Sequence, residues 1–226
     1  SQKSVYINGE LTMLFSDDIL KNIIDARIVA GYTANDSDDA VSIAKALYDG
    51  GIKVIEFTLR TENSIEGMEK ICSEVPNLLI GVGTILHHEQ LIRCKDAGAD
   101  FGVSPGLNTY IIESAEEINF SFAPGIVTPS ELETAMSFGC RFVKFFPAEP
   151  SGGITFLKSM AAPYKHHDIK YFPLGGINES NMFDYLDEDI IAAVGGSWIV
   201  SNEMVRDKNW KAIRNNAEEI SNLIKK

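Results

Sequence analysis

The chain repeats one pattern: short runs of β-branched and aromatic residues, each followed by a helix-like segment, recur from residue 27 to the end. The runs cover 27–33, 53–60, 78–85, 101–105, 120–127, 141–147, 170–177 and 190–200. They are apolar on both faces, as strands buried in a parallel sheet must be. Amphipathic stretches lie between them at 36–50, 61–74, 88–98, 129–139 and 178–187. Several open on Asn, Asp, Ser or Thr, whose side chains accept from the free N–H groups of a first helical turn, and close at Gly. Eight strand-helix units spaced by roughly 20–25 residues predict an α/β fold in which a parallel sheet closes into a (β/α)8 barrel. A doubly wound open sheet would need fewer strands and a glycine-rich turn after the first, and Ala30-Gly31-Tyr32-Thr33-Ala34 is not that turn.

No low-complexity linker divides the chain, so residues 1–226 are expected to form one domain. Residues 4–26 are expected to add a helix that closes the bottom of the barrel, with Leu11, Leu14 and Phe15 turned inward. The final segment carries Trp210, Ile213, Ala217, Ile220 and Ile224 at helical spacing, a stripe suited to covering the barrel wall.

Composition narrows the function. A net charge of −12 without a Lys/Arg run argues against nucleic acid as a partner, so an anionic ligand must be met by local groups. Cys72, Cys94 and Cys140 are odd in number and far apart, which suits reduced thiols in a cytoplasmic protein. No basic segment leads into a long apolar run, and no stretch approaches the ~20 apolar residues of a membrane span. The histidines form the adjacent pairs His87-His88 and His166-His167, whose members point in different directions, so no metal or other cofactor is expected.

In a barrel of this kind the chemistry sits at the C-terminal ends of the strands. The sixth run reads Arg141-Phe142-Val143-Lys144-Phe145-Phe146-Pro147-Ala148-Glu149. By alternation Lys144 shares a face with Phe142 and Phe146. An ammonium between aromatic rings is poorly hydrated, which favours the free amine that attacks a carbonyl to form a Schiff base. In the second run Glu56, Thr58 and Arg60 share the face opposite Ile55, Phe57 and Leu59. Glu56 suits proton transfer and Arg60 a two-pronged hydrogen bond to a substrate carboxylate, against the simpler alternative of a buried Glu56–Arg60 ion pair. The third run ends in Gly81-Val82-Gly83-Thr84, a hydroxyl beside two glycines. The seventh and eighth runs end in Gly175-Gly176 and Gly195-Gly196-Ser197, where bare backbone N–H groups can hold a phosphate.

With these residues placed, the chain resembles the 2-keto-3-deoxy-6-phosphogluconate (KDPG) aldolase family, which also acts as 4-hydroxy-2-oxoglutarate (KHG) aldolase. Matching segments fall in order over nearly the whole chain: Gly50 to Thr61, Gly81-Val82-Gly83-Thr84, Val103 to Leu107, Pro124 to Thr128, Val143 to Glu149 and Gly195 to Trp198. The resemblance implies a homotrimer of barrels acting on a small keto acid, a Schiff base on Lys144 and a proton shuttle on Glu56. It also implies carboxylate contacts from Arg60 and Thr84, Phe146 beside the bound pyruvyl group, and phosphate contacts from Gly175, Gly176 and Ser197. Two positions depart from the family's pattern. Leu174 stands where Pro-Thr-Gly-Gly would supply a hydroxyl, and Thr33 closes the first run where a basic residue is usual. Both subtract from recognition of a distal anion. The activity implied is cleavage of KDPG to pyruvate and glyceraldehyde 3-phosphate. Cleavage of KHG or another 2-keto-3-deoxy sugar acid is the alternative, and a sugar-phosphate epimerase or a non-catalytic ligand-binding barrel is more distant.

Overall fold

The computed structural model describes residues 6–7, 10–11, 14–60 and 64–225. Each of the eight expected runs contains a strand: β1 (Ile28–Tyr32), β2 (Val54–Thr58), β3 (Leu79–Gly83), β4 (Phe101–Val103), β5 (Ser121–Ala123, resuming after Pro124 as Gly125–Ile126), β6 (Phe142–Phe145), β7 (Lys170–Pro173) and β8 (Val194–Gly196). All of them pair in parallel. β8 lies beside β1, and β1 to β4 follow in sequence order to the first half of β5. The second half of β5 pairs with β6, and β6 with β7. Bridges from Tyr171 to Ile191 and from Leu174 to Gly195 link β7 to the β8 segment. The result is a parallel, TIM-barrel-like α/β fold.

Helices fill the connections. Ser37–Asp49, Ser64–Glu74, His88–Asp96, Thr109–Glu117, Pro129–Ser137 and Gly153–Ala161 follow β1 to β6, and the shorter Met182–Leu186 follows β7. Asp36 caps the first of these through the N–H groups of Asp38 and Asp39, and Thr128 with Glu131 forms a capping box on the fifth. The last helix, Trp210–Ile224, buries Ile213, Ala217 and Ile220 as its stripe foretold. It lies so close to the end of helix Ser37–Asp49 that a Cβ on Gly50 would stand 2.5 Å from that of Ala217.

The amino-terminal expectation holds only in part. The helix spans Asp17–Ala26 and is capped by Ser16, while Tyr6–Ile7 and Glu10–Leu11 pair as a short antiparallel ladder upstream of it. The rest of the expected helix before residue 14, and the side chain of Leu11, lie outside the described residues. Phe15 is buried as expected, edge-on to Phe101 and Phe142 at 5.7 and 4.8 Å between ring centres. Phe142 in turn stacks on Phe172 at 6.0 Å. With Val29, Val54 and Ala193 these rings form an apolar plug toward the N-terminal ends of the strands. A separate apolar layer, including Ile28, Ala30, Ile55, Phe57, Val143 and Phe145, joins the outer face of the sheet to the helices.

Candidate active site

One alternation step above the plug, two inward positions carry charge. Glu56 follows Val54 on β2 and Lys144 follows Phe142 on β6; both are at least 95% buried. Lys144 Nζ donates to Glu56 Oε1 at 2.8 Å. The partner of Glu56 is therefore Lys144, not the Arg60 that lies four residues away in sequence. Glu56 Oε2 is buried without a hydrogen-bond partner among the described residues, which leaves a strong acceptor facing the same interior. Lys144 Nζ also stands 5.3 Å from the centre of the Phe146 ring, within reach of a cation–π attraction. Phe142 belongs to the plug, so the aromatic cover of the amine comes from Phe146 alone of the two rings expected.

Neighbouring glycines make this arrangement possible. A Cβ on Gly83 would fall 2.0 Å from Glu56 Oε1, so the carboxylate occupies space that any other residue at 83 would claim. Gly81 likewise yields its inward space to the Phe101 ring, 2.2 Å from where its Cβ would be. Gly83 thus makes room for the site's carboxylate and Gly81 for the plug beneath it.

The other expected residues lie at or just beyond the C-terminal ends of their strands. Thr84 is half-buried and holds φ +63, an uncommon conformation for a β-branched residue and one found where local geometry is over-determined by function or packing. Thr58 is buried beside Glu56 in the strand, whereas Arg60 is exposed. Its N–H turns back to Thr58 O at 3.0 Å, so the strand's alternation ends before it. Gly175 and Gly176 take φ +97 and +87. The carbonyls of Leu174 and Gly175 accept from Ala148 N and Glu149 N, and that of Gly176 from the side-chain amides of Asn178 and Asn181. Those oxygens are thereby tied to the protein. Ser197 is exposed, with Gly196 beside it. Leu174 is buried and packs against Gly195 on the inner face of the sheet.

One feature of this rim had no local signal in the sequence. Tyr185 Oη donates to Glu149 Oε1, and Glu149 packs against Gly176. Two clefts, of about 510 and 390 Å3, open near the N-terminal ends of the strands beside Asn22, Lys53 and Asp100 and beside Lys158, Tyr171 and Asp189. Neither includes a residue of the Lys144–Glu56 centre. No helix among the described residues is long and apolar enough to cross a membrane.

Comparison with known proteins agrees with this geometry. A family model described as KDPG and KHG aldolase matches residues 19–216. The 2-dehydro-3-deoxy-phosphogluconate aldolase of Haemophilus influenzae is 35% identical over 210 residues, 93% of this chain and 98% of the relative. The KHG/KDPG aldolase of Escherichia coli K12 is 39% identical over 182 residues, 80% of this chain and 84% of the relative. Among solved structures, the KDPG aldolase of Legionella pneumophila superposes with a TM-score of 0.84 at 34% identity, covering 88% of this chain and 97% of its own. That crystal structure holds pyruvate captured at low pH as a covalent carbinolamine.

Proposed function

Because the chain belongs to the KDPG and KHG aldolase family, we propose that it is a class I aldolase that cleaves 2-keto-3-deoxy-6-phosphogluconate to pyruvate and glyceraldehyde 3-phosphate. The observation that carries the reading is the buried Lys144–Glu56 contact of 2.8 Å, with a carboxylate oxygen beside it that has no partner among the described residues. An amine that can pass a proton to its neighbour and a carboxylate that can return one are the two groups imine chemistry requires.

The hydrogen bond is the path by which Lys144 gives up a proton and frees its lone pair. The amine attacks the C2 ketone, the carbinolamine loses its hydroxyl as water with a proton relayed by Glu56, and a protonated imine forms. Glu56 then takes the proton of the C4 hydroxyl, the C3–C4 bond breaks toward the imine, and the aldehyde leaves. The enamine that remains is protonated at C3 and hydrolysed to pyruvate, which restores Lys144. Apolar walls and the Phe146 ring keep competing water away from the intermediate. Arg60 and Thr84 take the pyruvyl carboxylate, and the N–H groups around Gly175, Gly176, Gly196 and Ser197 take the phosphate.

The parallel strands, with the bridges between β7 and β8, suit a closed (β/α)8 barrel of one domain, with helix Asp17–Ala26 as its floor. A cytoplasmic homotrimer is the assembly that goes with this reading. Borohydride reduction in the presence of pyruvate tests the chemistry: a three-carbon unit should become fixed to Lys144 by peptide mass. An unmodified Lys144 under those conditions would refute the imine.

A further inference from the structure

Among the described residues, glycines at inward positions of the strands have their space filled by neighbours, with one exception. The space at Gly81 is taken by Phe101, at Gly83 by Glu56, at Gly125 by the backbone of Pro105 and at Gly195 by Leu174 and Phe172, each within 2.0–2.8 Å of where a Cβ would lie. Gly31 differs. It is inward on β1, two residues past Val29 of the interior plug, and a Cβ there would meet only the carbonyl of Gly196, at an ordinary 3.5 Å. Gly31 is the ladder partner of Glu56, while Ala30 next to it pairs with Gly196 of β8. The vacant space therefore lies between the carboxylate that bears the unpartnered Oε2 and the strand end that leads to Ser197.

On the proposed aldolase reading, a substrate anchored at Lys144 by C2 runs past Glu56 at C4 toward that strand end. The empty volume is thus beside C4. We propose that Gly31 is a specificity-determining position that opens the wall at C4, so that the enzyme cleaves 2-keto-4-hydroxy acids whose C4 is a tertiary carbinol, releasing a ketone instead of an aldehyde. The chemistry balances as before. Glu56 removes the C4 hydroxyl proton, the C3–C4 bond breaks into the protonated imine on Lys144, C4 becomes the carbonyl carbon of the departing ketone, and the enamine takes a proton at C3 before water releases pyruvate.

A matched pair of substrates tests this: 4-hydroxy-2-oxoglutarate, and the same molecule with one methyl on C4, whose cleavage gives two molecules of pyruvate. With pyruvate quantified by mass spectrometry, the wild type should process both with kcat/KM within about 10-fold of each other. Gly31→Val should lower kcat/KM for the methylated substrate about 10–200-fold more than for the unmethylated one, the range by which a single methyl is discriminated in a tight pocket. Gly31→Ala, whose added atom makes only an ordinary contact, gives a smaller change of the same sign and covers failure of the valine variant to fold. A wild type that cleaves the unmethylated acid yet rejects the methylated one by more than about 100-fold, or variants that affect both alike, would overturn the role of Gly31 and leave the aldolase reading standing. Absence of a borohydride-trapped pyruvate on Lys144 would overturn both.

Discussion

Lys144 Nζ and Glu56 Oε1 are 2.8 Å apart although 88 residues separate them in the chain. The contact joins β2 to β6 across the interior, above a plug of aromatic rings that admits no charge. Both groups are almost wholly withdrawn from water: their side chains keep 6% and 4% of their exposure. A buried pair of this kind is seldom retained for stability alone, because an apolar pair of similar size would serve as well. Glu56→Gln keeps the shape and the hydrogen bond but removes the proposed base. We expect kcat for pyruvate release to fall by about 10²–10⁴. Retention of wild-type turnover would assign Glu56 a packing role only.

The same pair has a thermodynamic signature. Lys144→Met leaves the Glu56 carboxylate buried without its counter-charge, which should cost about 3–5 kcal/mol in urea unfolding. The double variant Lys144→Met/Glu56→Gln removes that stranded charge and should recover part of the loss. Equal destabilisation in the single and double variants would mean that the two charges are not coupled in the folded protein.

Gly83 allows the Glu56 carboxylate to stand where it does. In Gly83→Ala the new methyl lies 2.0 Å from Oε1, and the backbone of β3 is held between β2 and β4, so the carboxylate is the group that yields. Misplacing a reacting group by about 1 Å costs on the order of 10²-fold in rate, and overpacking of the interior adds a stability loss of about 1–3 kcal/mol. Circular dichroism should report a folded variant whose borohydride trapping of pyruvate is slowed. Unimpaired trapping would show that the Lys144–Glu56 distance is not critical.

Burial also governs the thiols. It pushes Cys72 up to about 11 and Cys94 and Cys140 up to about 12, so the native protein holds all three protonated at pH 8. Folding raises these values above the 9.0 of a free thiol, so the associated stability is complete below pH 9 and is lost as pH climbs from there toward 12. Iodoacetamide at pH 8 should modify the native chain slowly and the urea-unfolded chain at all three positions. Fast native alkylation at Cys140 would contradict its burial.

The strands were legible because their runs are apolar on both faces, a pattern that depends on local sequence alone. Helix Asp17–Ala26 was anticipated too long, since the apolar residues before Ser16 carry no stop signal, and Phe15 packs without helical geometry. The inward face of Glu56 and Lys144 followed from alternation, but their pairing did not. It depends on how the parallel sheet curves to bring the inner faces of β2 and β6 opposite each other across the interior, and Arg60, nearer in sequence, was the obvious partner. The glycines were legible as residues and not as roles. Whether the space beside Gly31, Gly81 or Gly83 is filled depends on which side chain a neighbouring strand presents there, information that no single run contains.

Tyr185 and Glu149 extend the same lesson to the distal rim. Burial raises the Tyr185 phenol well above its ordinary range, and the hydrogen bond to Glu149 adds to this, so Tyr185 remains a donor at any working pH. Glu149 in turn packs on Gly176 and donates its N–H to Gly175 O at 2.9 Å. Tyr185→Phe releases one end of this brace at a cost of about 0.5–1.5 kcal/mol. The loss should fall on the glycine loop and raise KM for the phosphorylated substrate up to about 10-fold, the change that 1.4 kcal/mol produces. On the proposed mechanism, exchange of the methyl protons of pyruvate with deuterated water uses Lys144 and Glu56 but not the distal loop, so it should proceed at the wild-type rate. An exchange rate that fell together with substrate affinity would place the effect of Tyr185 on the fold as a whole and not on the loop.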